Sequence, residues 1–110
     1  MDAHPRGRFA PSPTGPLHFG NLRTALVSWL QAREQGGEWF VRMEDLDRVT
    51  ASVDHERAQL DVLAALGLVS DLPVVRQSDR FDLYRDAIAI LVAQGRVYEC
   101  FCTRREIREA

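Results

Sequence analysis

The chain has 110 residues, 45% of them hydrophobic, and a formal charge of −2 at neutral pH. Its length suits one domain or a piece of a larger one, and its apolar content excludes wholesale disorder. A charge so near zero excludes nucleic-acid binding by bulk electrostatics, so any such contact must be a local patch.

Gly7 to Ala10 is short and apolar enough for a buried strand; Pro11 and Pro13 end it, and Thr14-Gly15-Pro16 reads as a turn. Leu22, Ala25, Leu26, Trp29 and Leu30 then fall at helical spacing on one face. Asn21 is the expected N-cap of that helix and Gly36-Gly37 its stop. Trp39 to Met43 predicts a second strand, running into Glu44-Asp45-Leu46-Asp47. Strand, helix, strand is the βαβ unit, in which ligands sit beyond the carboxyl ends of the strands. Topology is thus expected to bring PSPTGPLHFG and EDLD to one edge.

Ser52 is expected to cap a second helix with Val53, Leu60, Leu63, Ala64 and Leu66 as its apolar side and Gly67 as its end. Leu72 to Arg76 predicts a short strand. Arg80 to Gln94 predicts a third helix, with Phe81, Tyr84, Ala87, Ile88 and Leu91 on one stripe and Gly95 as its stop. Val97 to Phe101 is expected to be extended. Thr103-Arg-Arg-Glu106 is a capping box that announces another helix. That helix is barely begun at Ala110, which leads us to expect a fragment.

No apolar run approaches the about 20 residues that span a bilayer, and MDAHPRGRFA lacks a signal peptide's apolar centre. A cytoplasmic, reducing location with no membrane partner is the expectation. Cys100 and Cys102 are one residue apart, a spacing that favours shared metal ligation over a structural disulfide; free thiols are the alternative. All 14 basic residues are arginine, so these residues alone cannot complete a lysine-dependent step.

The chemistry concentrates in RFAPSPTGPLHFGN, Arg8 to Asn21. A proline- and glycine-shaped loop ahead of a helix N-terminus offers free amides and a favourable dipole to an anion such as phosphate. His18 can donate a hydrogen bond as charge builds there, and Gly20 lets a nucleotide approach the backbone. The loop is neither a Walker A motif nor GxGxxG.

The full run resembles the signature of the glutamyl branch of class I aminoacyl-tRNA synthetases, with HFGN at the place of that class's HIGH motif. RMEDLDR and QSDRFDLYRDAI resemble two further segments of the branch, in order. The resemblance implies a Rossmann-like α/β catalytic domain of parallel strands and crossover helices. Residues 1–110 would be its N-terminal part, and about 97–110 the start of a zinc-binding insertion.

It also implies roles at matched positions. Arg8 would pair a carboxylate of L-glutamate, its planar fork suiting bidentate recognition. Phe9, Ala10, Pro11 and Ser12 would line the amino-acid pocket, and Glu44 would hold the α-ammonium. For Asp45 and Asp47 a capping, Arg-pairing or solvated role is expected. Thr14, His18, Gly20 and Asn21 would border ATP, with His18, Gly20 and Asn21 catalytic. The family's lysine loop, which works with Mg²⁺, has no counterpart in a chain without lysine. Cys100 and Cys102 would be the first two of four Zn²⁺ ligands, leaving the site incomplete here.

Within the branch, PLHFGN, EDLD, YECFCTRREI and the short stretch between Leu68 and Gln77 resemble the enzymes that place glutamate on the queuosine base of tRNA(Asp). The alternative is charging of the 3′ end of tRNA(Glu). A non-catalytic truncated module and an unrelated nucleotide-binding α/β domain are further alternatives. A monomer is expected.

Overall fold

The computed structural model describes residues 4–110, which divide into two compact units after Asp79. The first unit is built on three parallel strands, β1 (Arg6–Phe9), β2 (Glu38–Met43) and β3 (Val75–Arg76), in the order β1-β2-β3. The crossovers are helices α1 (Phe19–Glu34) and α2 (Val53–Ala65). The expected βαβ unit is therefore present, and a second crossover extends it. Register is set by Phe9 opposite Val41 and Met43 opposite Arg76.

Trp39, Val41 and Met43 alternate along β2 and are all buried, joined by Phe9, Ala25, Ala32, Leu63 and Leu68. Trp39 stacks against Phe9 with ring centroids 6.5 Å apart. Its indole N–H donates to the Ser28 hydroxyl at 2.9 Å, so the buried ring carries no unmet donor. A Cβ on Gly7 would stand 3.0 Å from the Ala32 Cβ and 3.1 Å from the Ser28 carbonyl. Glycine at this position lets α1 lie directly on β1.

Helix α1 starts earlier than its pattern predicts. Its N-cap is His18, not Asn21: the His18 Nδ1 accepts from the Asn21 amide, and the Asn21 side chain accepts from the His18 amide. The reciprocal pairing is a capping box with Asn21 at its third position. Gly36, at φ +65°, ends the helix as expected, with the Gly37 amide donating back to the Ala32 carbonyl.

Helix α2 is capped by Ser52 as expected, and the face it buries is the predicted one in part, with Leu63 buried and Leu60 packed against the core. Leu63 is buried together with Glu56 and Gln59, whereas Val53 and Leu66 are exposed. Glu56 pairs with Arg76 on β3, and Arg76 Nε reaches both carboxylate oxygens at 2.8 and 3.0 Å. The predicted strand at residues 72–76 shortens to Val75–Arg76.

The second unit carries α3 (Phe81–Ala93) and the short α4 (Arg104–Glu109). The Thr103–Glu106 capping box forms as expected. Val97–Phe101, expected to be extended, pairs with no strand among the described residues. None of the helices among the described residues is long and apolar enough to cross a membrane.

One carboxylate joins three separate segments of the first unit. Asp71 accepts two hydrogen bonds from Arg33, at 2.7 and 2.8 Å, and a third from the Trp39 amide at 2.6 Å. Arg33 first, and the Trp39 amide second, hold the Asp71 carboxyl below the ordinary carboxylate value. A depressed folded value adds stability above the unfolded value of about 3.9, which disappears as pH falls through the lower folded value. Asp71→Asn is therefore expected to lower the melting temperature at pH 7. It should also flatten the fall in melting temperature below about pH 4, measured by thermal unfolding across pH.

Candidate active site

The carboxyl ends of β1 and β2 open onto the two segments that carry the unusual residues. Beyond β1 runs the loop from Ala10 to Leu17; beyond β2 run Glu44 to Asp47. The Glu44 amide donates to the Pro11 carbonyl at 2.9 Å, continuing the parallel ladder past both strand ends. The Ser52 amide donates to the Pro13 carbonyl at 3.0 Å. The loop is thus pinned to the β2 exit and to the start of α2.

Inside the loop lies a cavity of about 540 Å³. Arg8, Phe9, Ala10, Pro11 and Ser12 line one part of its wall, and Thr14, His18 and Asn21 another. Eight of the predicted site residues therefore share one cavity. Gly20 and Glu44 are not on its wall. Gly20 lies under the His18 ring, where a Cβ would come within 2.9 Å of the His18 Cε1. Its missing side chain thus makes room for the cap. Glu44 is tied to the loop through Pro11, and its carboxylate accepts from Arg42 at 2.6 Å.

Among the described residues Arg8 has no carboxylate partner, although it is exposed at the cavity wall. An unpaired guanidinium fork beside a cavity is ready for a bidentate anion. The His18 cap has a chemical consequence as well. Because Nδ1 accepts from the Asn21 amide, the proton of the neutral ring resides on Nε2, which is left able to donate.

The two aspartates of EDLD have structural work. Asp45 accepts from the Ser78 amide at 2.9 Å and its hydroxyl at 2.6 Å, capping the 3₁₀ turn Gln77–Arg80. Burial alone would raise the Asp45 carboxyl; the Ser78 hydroxyl and amide outweigh it and hold the value down. Asp47 closes its own turn through Val49 and Thr50, whose hydroxyl is the main cause of its lowered value. Of the solvated, capping and Arg-pairing roles left open for these residues, capping is the one Asp45 takes, while Asp47 closes a turn.

Cys100 and Cys102 are exposed free thiols in the second unit. No group of three or more His, Cys, Asp or Glu side chains able to hold a metal occurs among the described residues. Two thiols are half of a four-ligand zinc site, so the expectation of zinc gains no support here and the residues present do not make such a site.

Sequence reasoning missed Gln59, which also lines the cavity from α2. Its signal was present but unreadable: a polar residue at a helix position between apolar ones, with partners 44 and 47 residues away.

A parallel α/β unit with a loop and cavity at the carboxyl edge is the usual place for a ligand in such sheets, and comparison with known proteins supplies the class. The family described as class I tRNA synthetases (E and Q), catalytic domain, matches residues 5–110. The chain belongs to this family. Among curated relatives, a glutamyl-Q tRNA(Asp) synthetase of Cutibacterium acnes is 58% identical over 97% of this chain and 30% of its own length. One of Xanthomonas campestris pv. campestris (strain 8004) is 56% identical over 93% of this chain and 34% of its own. A crystal structure of a glutamate tRNA ligase from Elizabethkingia meningosepticum, in complex with its amino acid, superposes with a TM-score of 0.78. It is 33% identical over 97% of this chain and 23% of its own. The chain thus spans about a third of the length of the curated relatives it matches.

His18→Asn keeps a strong N-cap and removes the Nε2 donor, whereas His18→Ala removes both. The Ala variant is expected to lose about 0.5–2 kcal/mol of stability and the Asn variant almost none, read from denaturant unfolding.

Proposed function

We propose that this chain forms the glutamate- and ATP-facing part of a ligase that makes glutamyl-adenylate. The full-length protein then transfers the glutamyl group to the queuosine base of tRNA(Asp). The observation that carries the reading is the shared cavity, where an arginine with no carboxylate partner among the described residues and a histidine whose Nε2 can donate face one space. The names of relatives more than half identical to the chain support the acceptor.

In this reading Arg8 pairs the side-chain carboxylate of glutamate. Phe9 to Ser12 form the amino-acid wall, and Glu44, beside Pro11, holds the α-ammonium. Thr14, Gly20 and Asn21 border the nucleotide. The α-carboxylate attacks the α-phosphate in line and pyrophosphate leaves. No covalent enzyme intermediate forms, so the residues act by positioning and by meeting charge. His18 donates from Nε2 to a phosphate oxygen, and the first-turn amides of α1 add a favourable dipole. Mg²⁺ would enter bound mainly to the substrate phosphates. The protein is proposed to work as a cytoplasmic monomer.

The solved relatives are glutamate tRNA ligases, which favours charging of tRNA(Glu) as the second reading. Glutamate-dependent ATP–pyrophosphate exchange by the full-length protein distinguishes the two. Exchange without any tRNA is expected; exchange that begins only when tRNA(Glu) is added would establish the second reading.

Arg8→Ala tests the amino-acid side. It is expected to weaken glutamate by roughly 2–5 kcal/mol, as for removal of one partner of a buried charge pair. An unchanged KM for glutamate would remove Arg8 from the site.

A further inference from the structure

Gln59 lies within α2 with only 2% of its surface exposed. Its Nε2 donates to the Ser12 carbonyl at 3.0 Å and to the Gly15 carbonyl at 2.7 Å. A primary amide has two N–H donors, and both are used on the same short stretch of loop. Ser12 and Gly15 are the two ends of the turn that carries Thr14 and leads on to His18. Within that turn the Thr14 amide donates to the Ser12 carbonyl at 2.9 Å. The clamp therefore comes from outside the turn, from a helix that begins 40 residues further along the chain.

The other half of the amide tells which interaction matters. Gln59 Oε1 is buried without a hydrogen-bond partner among the described residues. A buried acceptor left unmet costs free energy, and an apolar side chain of similar length would avoid that cost. What the amide contributes is confined to the loop. Gln59 also stands on the cavity wall itself, so any change in the turn is a change in the cavity.

We infer that Gln59 is a positioning residue of the ligand cavity: it ties the Ser12 and Gly15 carbonyls together and thereby holds Ser12, Thr14 and His18 in place. It acts through the loop rather than on the reacting atoms. The inference rests on the reading of this cavity as the glutamate and ATP site.

Gln59→Met in the full-length protein conserves volume and removes both donors together with the unmet acceptor. Its melting temperature is expected to change little, because removal of the unmet acceptor offsets part of the loss of the two hydrogen bonds. Its kcat/KM for ATP–pyrophosphate exchange should fall on the order of tenfold to a hundredfold, the scale of a displaced positioning group. Amide hydrogen exchange without substrates gives a second readout: Thr14 should exchange faster, while the Val41 amide should not change. If the Met variant fails to fold, Gln59→Asn, whose amide is one methylene too short to reach both carbonyls, takes its place with the same kinetic and exchange expectations. A folded variant with unchanged kinetics, or with unchanged Thr14 protection, overturns the inference. Faster Thr14 exchange in a protein whose parent shows no pyrophosphate exchange supports the clamp and refutes the reading of the cavity instead.

Discussion

A single backbone hydrogen bond, from the Glu44 amide to the Pro11 carbonyl, joins the two segments on which the site depends. It is the continuation of the β1–β2 ladder past the ends of both strands. Its position follows from register: with Phe9 opposite Val41, the residues after β1 and those after β2 must run side by side. Register is fixed in turn by packing, because Gly7 admits α1 onto the sheet and Trp39 fills the space beside it. A shift by one residue would turn Trp39, Val41 and Met43 to the opposite face of β2. The arrangement of the signature loop is thus secured by a core that contains none of its reactive groups.

Polar side chains then hold what the ladder leaves loose. Ser52 and Gln59 reach the loop from α2, Asp45 anchors the 3₁₀ turn at Ser78, and Arg76 keeps Glu56 neutralised beneath them. These are contacts between distant parts of the chain, and several are charge-assisted, so they specify geometry as well as add stability.

The strands and helices near the signature were legible because their signals are local: apolar alternation in β2, glycine stops, and the Ser52 and Thr103 caps. The His18 cap was not, since histidine is rarely a cap and Asn21 has the usual chemistry for one; only the ring's reach back to the Asn21 amide decides it. For a related reason the buried side of α2 was read only in part, with Leu60 and Leu63 packed as expected. Val53 and Leu66 look like core residues, but the partners of Glu56 and Gln59 arrive from Arg76 and from the Ser12–Gly15 turn, and no local pattern announces them. That Arg8 to Ser12, with Thr14, His18 and Asn21, share one cavity was legible because they sit in one contiguous run. Gln59 needed the fold.

The meeting of Arg33, Trp39 and Asp71 also bears on how the molecule is made. The arginine and the tryptophan leave the ribosome well before the carboxylate that links them, and Gln59 and Ser70 also follow the loop and strand they hold. Early contacts can form in the nascent chain, yet closure over such separations waits for the later residues. The signature loop is therefore translated before the residues that hold it, which leaves an interval in which it stands without its clamps.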